Sequence, residues 1–262
     1  MSPVTKLAIA VFVVGVILGC LLGNKIGTTK AEKRAEEELA KVTAELKDAH
    51  AQEILALEGE LEEALVEEDE VELPWYLVLV NDKHPMEEGY EPSLVKVAED
   101  RYLDERIADA AREMLDDAKK AGLGIYNGSF YRDVADQARI FNYSMDAEKK
   151  AGVSYWEAYQ KVSLYVAEPG TSEHALGLAM DLTSNVYVTL DAGQEKTPEA
   201  QWLKENCHKY GFILRYPPNS TDITGIEYEP WHYRYVGVED ATKITELGIT
   251  LEEYLEEYYD YK

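Results

Sequence analysis

The strongest constraint on this chain is a stretch without charge near its amino terminus, Leu7 to Asn24. A helix of that length runs about 27 Å, close to the hydrocarbon thickness of a bilayer. It is too long and too apolar for an ordinary surface helix. Three readings compete. Length favours an uncleaved transmembrane signal anchor over residues 1–27. A cleaved signal peptide lacks a clear small-x-small site after the run. A lipoprotein anchor at Cys20 is suggested by Ile17-Leu18-Gly19-Cys20, but Leu21 and Leu22 carry the apolar run past that cysteine. Flanking charge opposes the anchor's orientation: Lys6 precedes the run, whereas Lys25, Lys30, Lys33 and Arg34 follow it. That asymmetry mildly favours a cytoplasmic carboxyl side, a bias that large translocated domains override. The run is thus expected to be a single-pass anchor, with the side taken by the remaining chain decided by that chain's own chemistry.

Residues 28–72 are rich in Ala, Glu, Leu and Lys, with no proline and no glycine before Gly59. This predicts a long helix. Leu39, Val42, Leu46 and Ala49 follow 3-4 spacing; Ile54, Leu57, Leu61 and Ala64 repeat it in a shifted phase. The segment reads as an acidic, solvated stalk. The broken heptads leave a weak dimeric coiled coil as the alternative.

A folded domain is expected over 73–262. The chain is 46% hydrophobic and 10% aromatic, enough to build a core. Its 26 basic and 51 acidic residues give a net charge of -25, and no Lys/Arg cluster stands out. A nucleic-acid partner is therefore excluded, because phosphate binding needs such clusters. Cys20 and Cys207 are not expected to pair, since the first lies inside the apolar run.

Leu77 to Val80 reads as a short strand. Helices are expected over 106–120, 134–149, 154–166 and 197–210. The last has Thr197 as N-cap, Pro198 at its first position and Gly211 past its end. Further strands are expected over 123–131, 178–182, 212–216 and 231–236. The tail from Thr250 reads as an acidic, Tyr-rich helix. Without regular βαβ alternation, this mixture predicts an α+β domain with a small, mainly antiparallel sheet flanked by helices.

Two segments carry the chemistry. One runs Ser172-Glu173-His174-Ala175-Leu176-Gly177-Leu178-Ala179-Met180-Asp181; the other is Glu229-Pro230-Trp231-His232. They offer two imidazoles and a carboxylate as ligands, with a second carboxylate left over. Catalytic zinc takes three protein ligands and keeps one position for water, and N and O donors suit this borderline cation. The spare glutamate can move the water's proton to a leaving amine. Gly177 and the apolar residues after it suggest a loop between His174 and Asp181 that runs into a strand. Pro230 puts Glu229 at a turn and His232 on the following strand. His208, His84, His50 and Cys207 each read more simply as structural or surface residues.

Ser-x-His-x-x-Gly-x-Ala-x-Asp, followed some fifty residues later by Glu-Pro-Trp-His, resembles the VanY-type D-alanyl-D-alanine carboxypeptidases. These belong to the superfamily that groups lysostaphin, the D-Ala-D-Ala metallopeptidases and the hedgehog signalling domain. The similarity runs from about Leu77 to Gly237. Leu79-Val80-Asn81 with His84-Pro85 resembles the family's domain start, and Ser129-Phe130-Tyr131-Arg132 with Gln137 its substrate-binding segment. Gly211-Phe212, Arg215-Tyr216-Pro217 and Thr224-Gly225 resemble its late core. The resemblance implies one zinc ion held by His174, Asp181 and His232, with Glu229 as general base and then acid. It implies that Arg132, Gln137 and Ser172 hold the substrate's terminal carboxylate or reacting carbonyl; Arg can grip a carboxylate bidentately. Trp231 either packs against the site or fills the core. Asp133 stands where the family often has serine, which bears on the pocket's charge.

The implied activity is removal of the terminal D-Ala from peptidoglycan stem peptides. An L,D-carboxypeptidase or endopeptidase acting on related wall peptides would use the same metal site. A catalytically inactive wall-peptide-binding protein would be expected to lack a ligand or the base, and all four residues are present. A structural zinc protein would close all four coordination positions, commonly with Cys.

Overall fold

A computed structural model of the chain describes residues 29–66 and 73–261. The uncharged run 7–24, Cys20 and the proposed anchor lie outside these residues. Among the described residues no helix is long and apolar enough to cross a membrane. The contacts divide the chain into two units, Met1–Val71 and Glu72–Lys262.

In the first unit a single helix, α1, spans Thr29–Val66. Leu39, Leu46, Ile54, Leu55 and Leu57 on it are exposed. Its helicity follows from the absence of breakers and the abundance of Ala, Glu, Leu and Lys.

The second unit begins with a hairpin, β1 (Leu94–Ala98) and β2 (Arg101–Asp104), paired antiparallel. Helix α2 (Ala108–Lys120) and strand β3 (Ile125–Asn127) follow, then helices α3 (Val134–Lys150) and α4 (Tyr155–Val162). A 3-10 turn, Glu173–Leu176, leads into β4 (Ala179–Ser184). Next come α5 (Pro198–Asn206), β5 (Phe212–Leu214), the single turn α6 (Thr221–Thr224) and β6 (His232–Tyr235). Helices α7 (Val238–Leu247) and α8 (Leu251–Tyr259) complete the unit. The main sheet has the order β3-β4-β6-β5, and every pairing in it is antiparallel. The architecture is α+β, as the sequence predicts.

Period-two alternation gives the sheet two distinct faces. Met180 and Leu182 of β4 join Phe212 and Tyr233 in one core with Ala111 and Met114 of α2 and Leu203 of α5. The other face carries Asp181, His232, Arg234 and Ile213. A second core gathers Ile213 and Val236 under Ala241 and Ile244 of α7 and Leu251, Tyr254 and Leu255 of α8. Each Leu, Ile or Met so buried contributes roughly 1.5–3 kcal/mol. A third cluster, Phe141, Met145, Ala158 and Val162, joins α3 to α4.

Local sequence sets the element ends. Thr197 accepts from Ala200 N and Pro198 opens α5, whereas Gly211 adopts φ 83° beyond it. The expected helix over 197–210 ends at Asn206 and tightens into a 3-10 turn over Cys207–Tyr210. Thr250 and Glu253 form a reciprocal capping box at the start of α8.

Two expectations fail. Leu77 to Val80 forms no strand, although Leu77, Leu79 and Val80 are buried. The carbonyls of Tyr76 and Val78 instead accept from the Arg234 guanidinium at 2.9 and 2.8 Å, so a side chain takes the place of a ladder. The β1–β2 hairpin was not foreseen. Its strands are short and half exposed, and Asp100 turns the corner at φ 50° without an Asn-Gly signal.

Candidate active site

Asp181 and His232 are direct cross-strand partners in the β4–β6 ladder. Partners in such a register project from the same face about 5 Å apart. His174 reaches them from the 3-10 turn before β4. Gly177 reverses the chain there at φ 71°, a left-handed conformation that glycine adopts without a Cβ penalty. The sequence reading placed a loop between His174 and Asp181 and a turn at Glu229, and both are observed: His232 N donates to Glu229 O at 3.2 Å just before β6.

The three side chains converge. His174 Nε2 lies 3.2 Å from Asp181 Oδ2, and His232 Nδ1 lies 3.1 Å from Asp181 Oδ1. One ligand atom from each residue falls within 4.8 Å of the others, and all three residues are buried. Donors around tetrahedral zinc, at bonds near 2.0–2.1 Å, sit about 3.3 Å apart. The remaining nitrogens are engaged away from this focus. His174 Nδ1 faces Phe130 O at 2.7 Å, and His232 Nε2 faces Glu173 Oε2 at 3.4 Å. Each outer contact selects a tautomer with the inner nitrogen's lone pair free, the usual support of a metal-binding imidazole. The donor set therefore fits a zinc ion.

Electrostatics distinguish the three acidic groups at the site. Burial raises the Asp181 carboxyl, but His174 and His232 beside it hold it well below the usual carboxylate range. Glu173 is likewise held low against burial by Arg215 and Arg234. Arg215 Nε donates to Glu173 Oε1 at 2.7 Å and Arg234 NH1 to the same oxygen at 2.8 Å. Glu229 behaves oppositely: burial, reinforced by Asp181, raises it to about 8 even though His232 and Arg132 pull down. Its Oε2 lies 3.8 Å from His232 Nδ1. Two carboxyls of one site are thus separated, with Asp181 fixed as an anion and Glu229 able to accept and release a proton.

A cavity of about 730 Å³ opens over this cluster. His174, Asp181, His232 and Glu229 line it together with Arg132, Gln137, Ser172 and Trp231. Arg132 N donates to His174 O at 3.2 Å, which fixes the strand-like segment beside the turn. Arg132 Nε is buried without a partner, as is Gln137 Oε1, while Gln137 Nε2 donates to Ala167 O at 2.5 Å. Trp231 lines the cavity rather than the core.

Asp133 leaves the picture. It is the N-cap of α3, accepting from Asp136 N at 2.7 Å, and is not among the residues that line the cavity. His84 sits in a turn with Asn81, and Cys207 is buried. Sequence reasoning missed Glu173, whose carboxylate orients His232, and Tyr216, whose ring lies 4.9 Å from that of His232 in the cavity wall. No spacing rule points to either; Glu173 was visible only as a neighbour of His174.

The family model described as VanY, D-alanyl-D-alanine carboxypeptidase, matches residues 100–238. That stretch contains all three candidate ligands and Glu229. The chain belongs to the VanY family. A D-alanyl-D-alanine carboxypeptidase of Enterococcus faecalis (strain ATCC 700802 / V583) is 40% identical over 193 residues, covering 73% of this chain and 70% of the relative. A solved structure of VanYB in complex with D-alanine-D-alanine superposes with a TM-score of 0.65 at 39% identity, covering 71% of this chain and 99% of the other. A vancomycin-resistance D,D-pentapeptidase VanY variant solved with Zn(II) gives 0.63 at 38% identity, covering 70% of this chain and 99% of the other. The chain is accordingly a zinc metallopeptidase of the VanY family.

Proposed function

We propose that this VanY-family enzyme removes the terminal D-alanine from peptidoglycan stem peptides, with His174, Asp181 and His232 holding zinc and Glu229 as the base. The observation that carries this reading is the meeting of two imidazoles and one carboxylate, from separate stretches of chain, with the buried Glu229 carboxyl 3.8 Å from His232. Zinc in that position supplies a Lewis acid that lowers the pKa of water toward about 7 and polarises a carbonyl.

The chain's own groups account for the remaining steps. Glu229 takes the proton from the attacking water and returns it to the leaving D-alanine amine, and its raised basicity suits both transfers. Arg132 pairs with the peptide's terminal carboxylate. Its unpartnered, buried Nε would donate to that carboxylate, and the unpartnered Oε1 of Gln137 would accept from a peptide N–H. A charged clamp at one end of the cleft favours cleavage of the last residue over an internal bond. Ser172 stands beside the clamp, buried in the cavity wall. Trp231 lines the same cavity and packs against the bound peptide.

The sequence supports a placement for this chemistry. Residues 1–27 anchor the chain in the membrane as a single pass, 28–72 hold the catalytic domain away from it, and 73–262 reach the wall from outside. The division of contacts at Val71 and the exposed apolar side chains of α1 support a separate stalk, through which a weak homodimer forms.

Mass spectrometry of products from muramyl tetra- and pentapeptides tests the reading. The expected result is loss of one D-alanine from the pentapeptide, abolished by chelation and restored by Zn²⁺. Cleavage of the tetrapeptide instead would make the enzyme an L,D-carboxypeptidase, and release of larger fragments an endopeptidase. Pentapeptide turnover that survives thorough metal removal would end the metallopeptidase reading.

A further inference from the structure

The carboxyl-terminal helix α8 lies beyond residues 100–238, which the family model matches. Its second residue, Glu252, nevertheless reaches into the interior. Glu252 Oε2 accepts from Arg215 NH1 at 2.8 Å and its Oε1 from Arg215 NH2 at 2.6 Å, a two-toothed pairing. Asn81 Nδ2 adds a third donor at 3.3 Å. The same guanidinium gives its Nε to Glu173, and Glu173 faces His232 Nε2. The side chains of Arg215 and Glu173 are completely inaccessible.

We infer that Glu252 is a positioning residue of the metal site, acting on His232 through Arg215 and Glu173. The inference rests on His232 being a zinc ligand. Two carboxylates, Glu173 and Glu252, balance two guanidinium groups, Arg215 and Arg234; of the four side chains only Glu252 keeps any solvent access. A planar guanidinium with both ends occupied has one orientation. Without the Glu252 carboxylate, Arg215 has a spare fork and one remaining anion, Glu173. It then competes with the His232 N–H for Glu173 Oε2, and the imidazole loses the contact that selects its tautomer. Outer-sphere carboxylates such as Glu173 typically change metal affinity 10–100-fold; two residues further out, Glu252 is expected to change it by no more than about tenfold.

The test is a zinc titration of the folded full-length chain against a competing chromophoric chelator, paired with the visible spectrum of the Co²⁺-loaded protein. Glu252→Gln is expected to weaken zinc binding by up to about tenfold and shift the cobalt bands. Glu253→Ala, which removes the acceptor of the α8 capping box without touching Arg215, is expected to lower Tm and leave zinc affinity and spectrum unchanged. Equal zinc affinity in Glu252→Gln and the parent overturns the inference, as does equal weakening by Glu253→Ala. If Glu252→Gln does not fold, Glu252→Asp keeps the charge but shortens its reach, and unchanged affinity there overturns it equally. His232→Ala separates the two levels: if it binds zinc like the parent, the ligand assignment itself fails; if it loses zinc while Glu252→Gln does not, only the role of Glu252 falls.

Discussion

His174 and His232 meet edge to face, 4.9 Å between ring centroids and 90° between planes, and they turn different nitrogens to Asp181. His174 offers Nε2 and His232 offers Nδ1. An asparagine oxygen or nitrogen falls near the place of a histidine Nδ1, a glutamine's near that of Nε2. His232→Asn is therefore expected to retain more zinc than His232→Gln, and His174→Gln more than His174→Asn. The difference within each pair is about tenfold, or about 1.4 kcal/mol. Zinc dissociation constants for the four variants check this; the opposite ranking would show that the tautomers are reversed.

Glu229 touches the site without belonging to the ligand set, so its removal should separate binding from turnover. Glu229→Ala is expected to bind zinc in equal stoichiometry while kcat falls about 10²–10⁴-fold, the usual contribution of a positioned general base. Metal analysis of the purified variant, together with D-alanine release, decides the matter. Turnover near the parent rate would hand the proton transfer to another group.

Arg132 is read as the clamp on a terminal carboxylate. Lysine keeps the charge but not the fork. Arg132→Lys is expected to lower kcat/KM on a free-acid pentapeptide about 10–100-fold, consistent with loss of one charge-assisted hydrogen bond. A pentapeptide with an amidated carboxyl end should be a poor substrate for the parent and show little further loss in the variant. Equal loss on both substrates would mean that Arg132 acts on something other than the carboxylate.

The centre of the site was legible in the sequence because its combined motif resembles the VanY family; the local geometry shows why those residues meet. His-x6-Asp and Glu-x-x-His each place their residues through local geometry, a left-handed Gly177 in the first and Pro230 in the second. Helices whose caps are written in sequence, such as Thr197-Pro198 for α5, also lie where expected. What could not be read is what depends on distant partners. Leu77–Val80 has strand composition, yet Arg234, more than 150 residues away, takes its carbonyls. Asp133 resembled a pocket residue because of its neighbour Arg132, but the demand of α3 for an N-cap fixes its direction. Glu173 sits beside the proposed ligand His174 in sequence, and only its folded contacts with Arg215, Arg234 and His232 show how it is placed.

Gly128 makes the backbone of the site sensitive to a single methyl group. Its N–H donates to Asp181 O at 2.9 Å, and a Cβ added there would stand 2.9 Å from the same oxygen. The obstacle is main chain, which cannot rotate away. Gly128→Ala must push β4 at Asp181, a proposed zinc ligand. It is expected to cost about 1–3 kcal/mol of stability, as for other forced insertions into packed structure, and to weaken zinc binding as well. Thermal unfolding in the presence of chelator isolates the first effect, and a zinc titration the second. A variant with parental Tm and zinc affinity would show that the β3–β4 edge yields freely.

Cys207 closes the list as a buried thiol with no part in the chemistry. It is 1% exposed, and burial pushes its pKa up to about 12. The folded value lies above the ordinary value of about 8.5, so the neutral thiol is the form the fold favours. Its contribution is complete below about 8.5, and stability falls by about 1.4 kcal/mol per pH unit from there until the folded group itself ionises. Two results should follow. Alkylation at pH 8 should spare Cys207 in the native protein and reach it in denaturant, with peptide mapping to distinguish it from Cys20. Cys207→Ala should flatten the stability profile between about pH 9 and 12 relative to the parent. Rapid labelling of Cys207 under native conditions, or an unchanged alkaline slope in the variant, would place the thiol in contact with solvent.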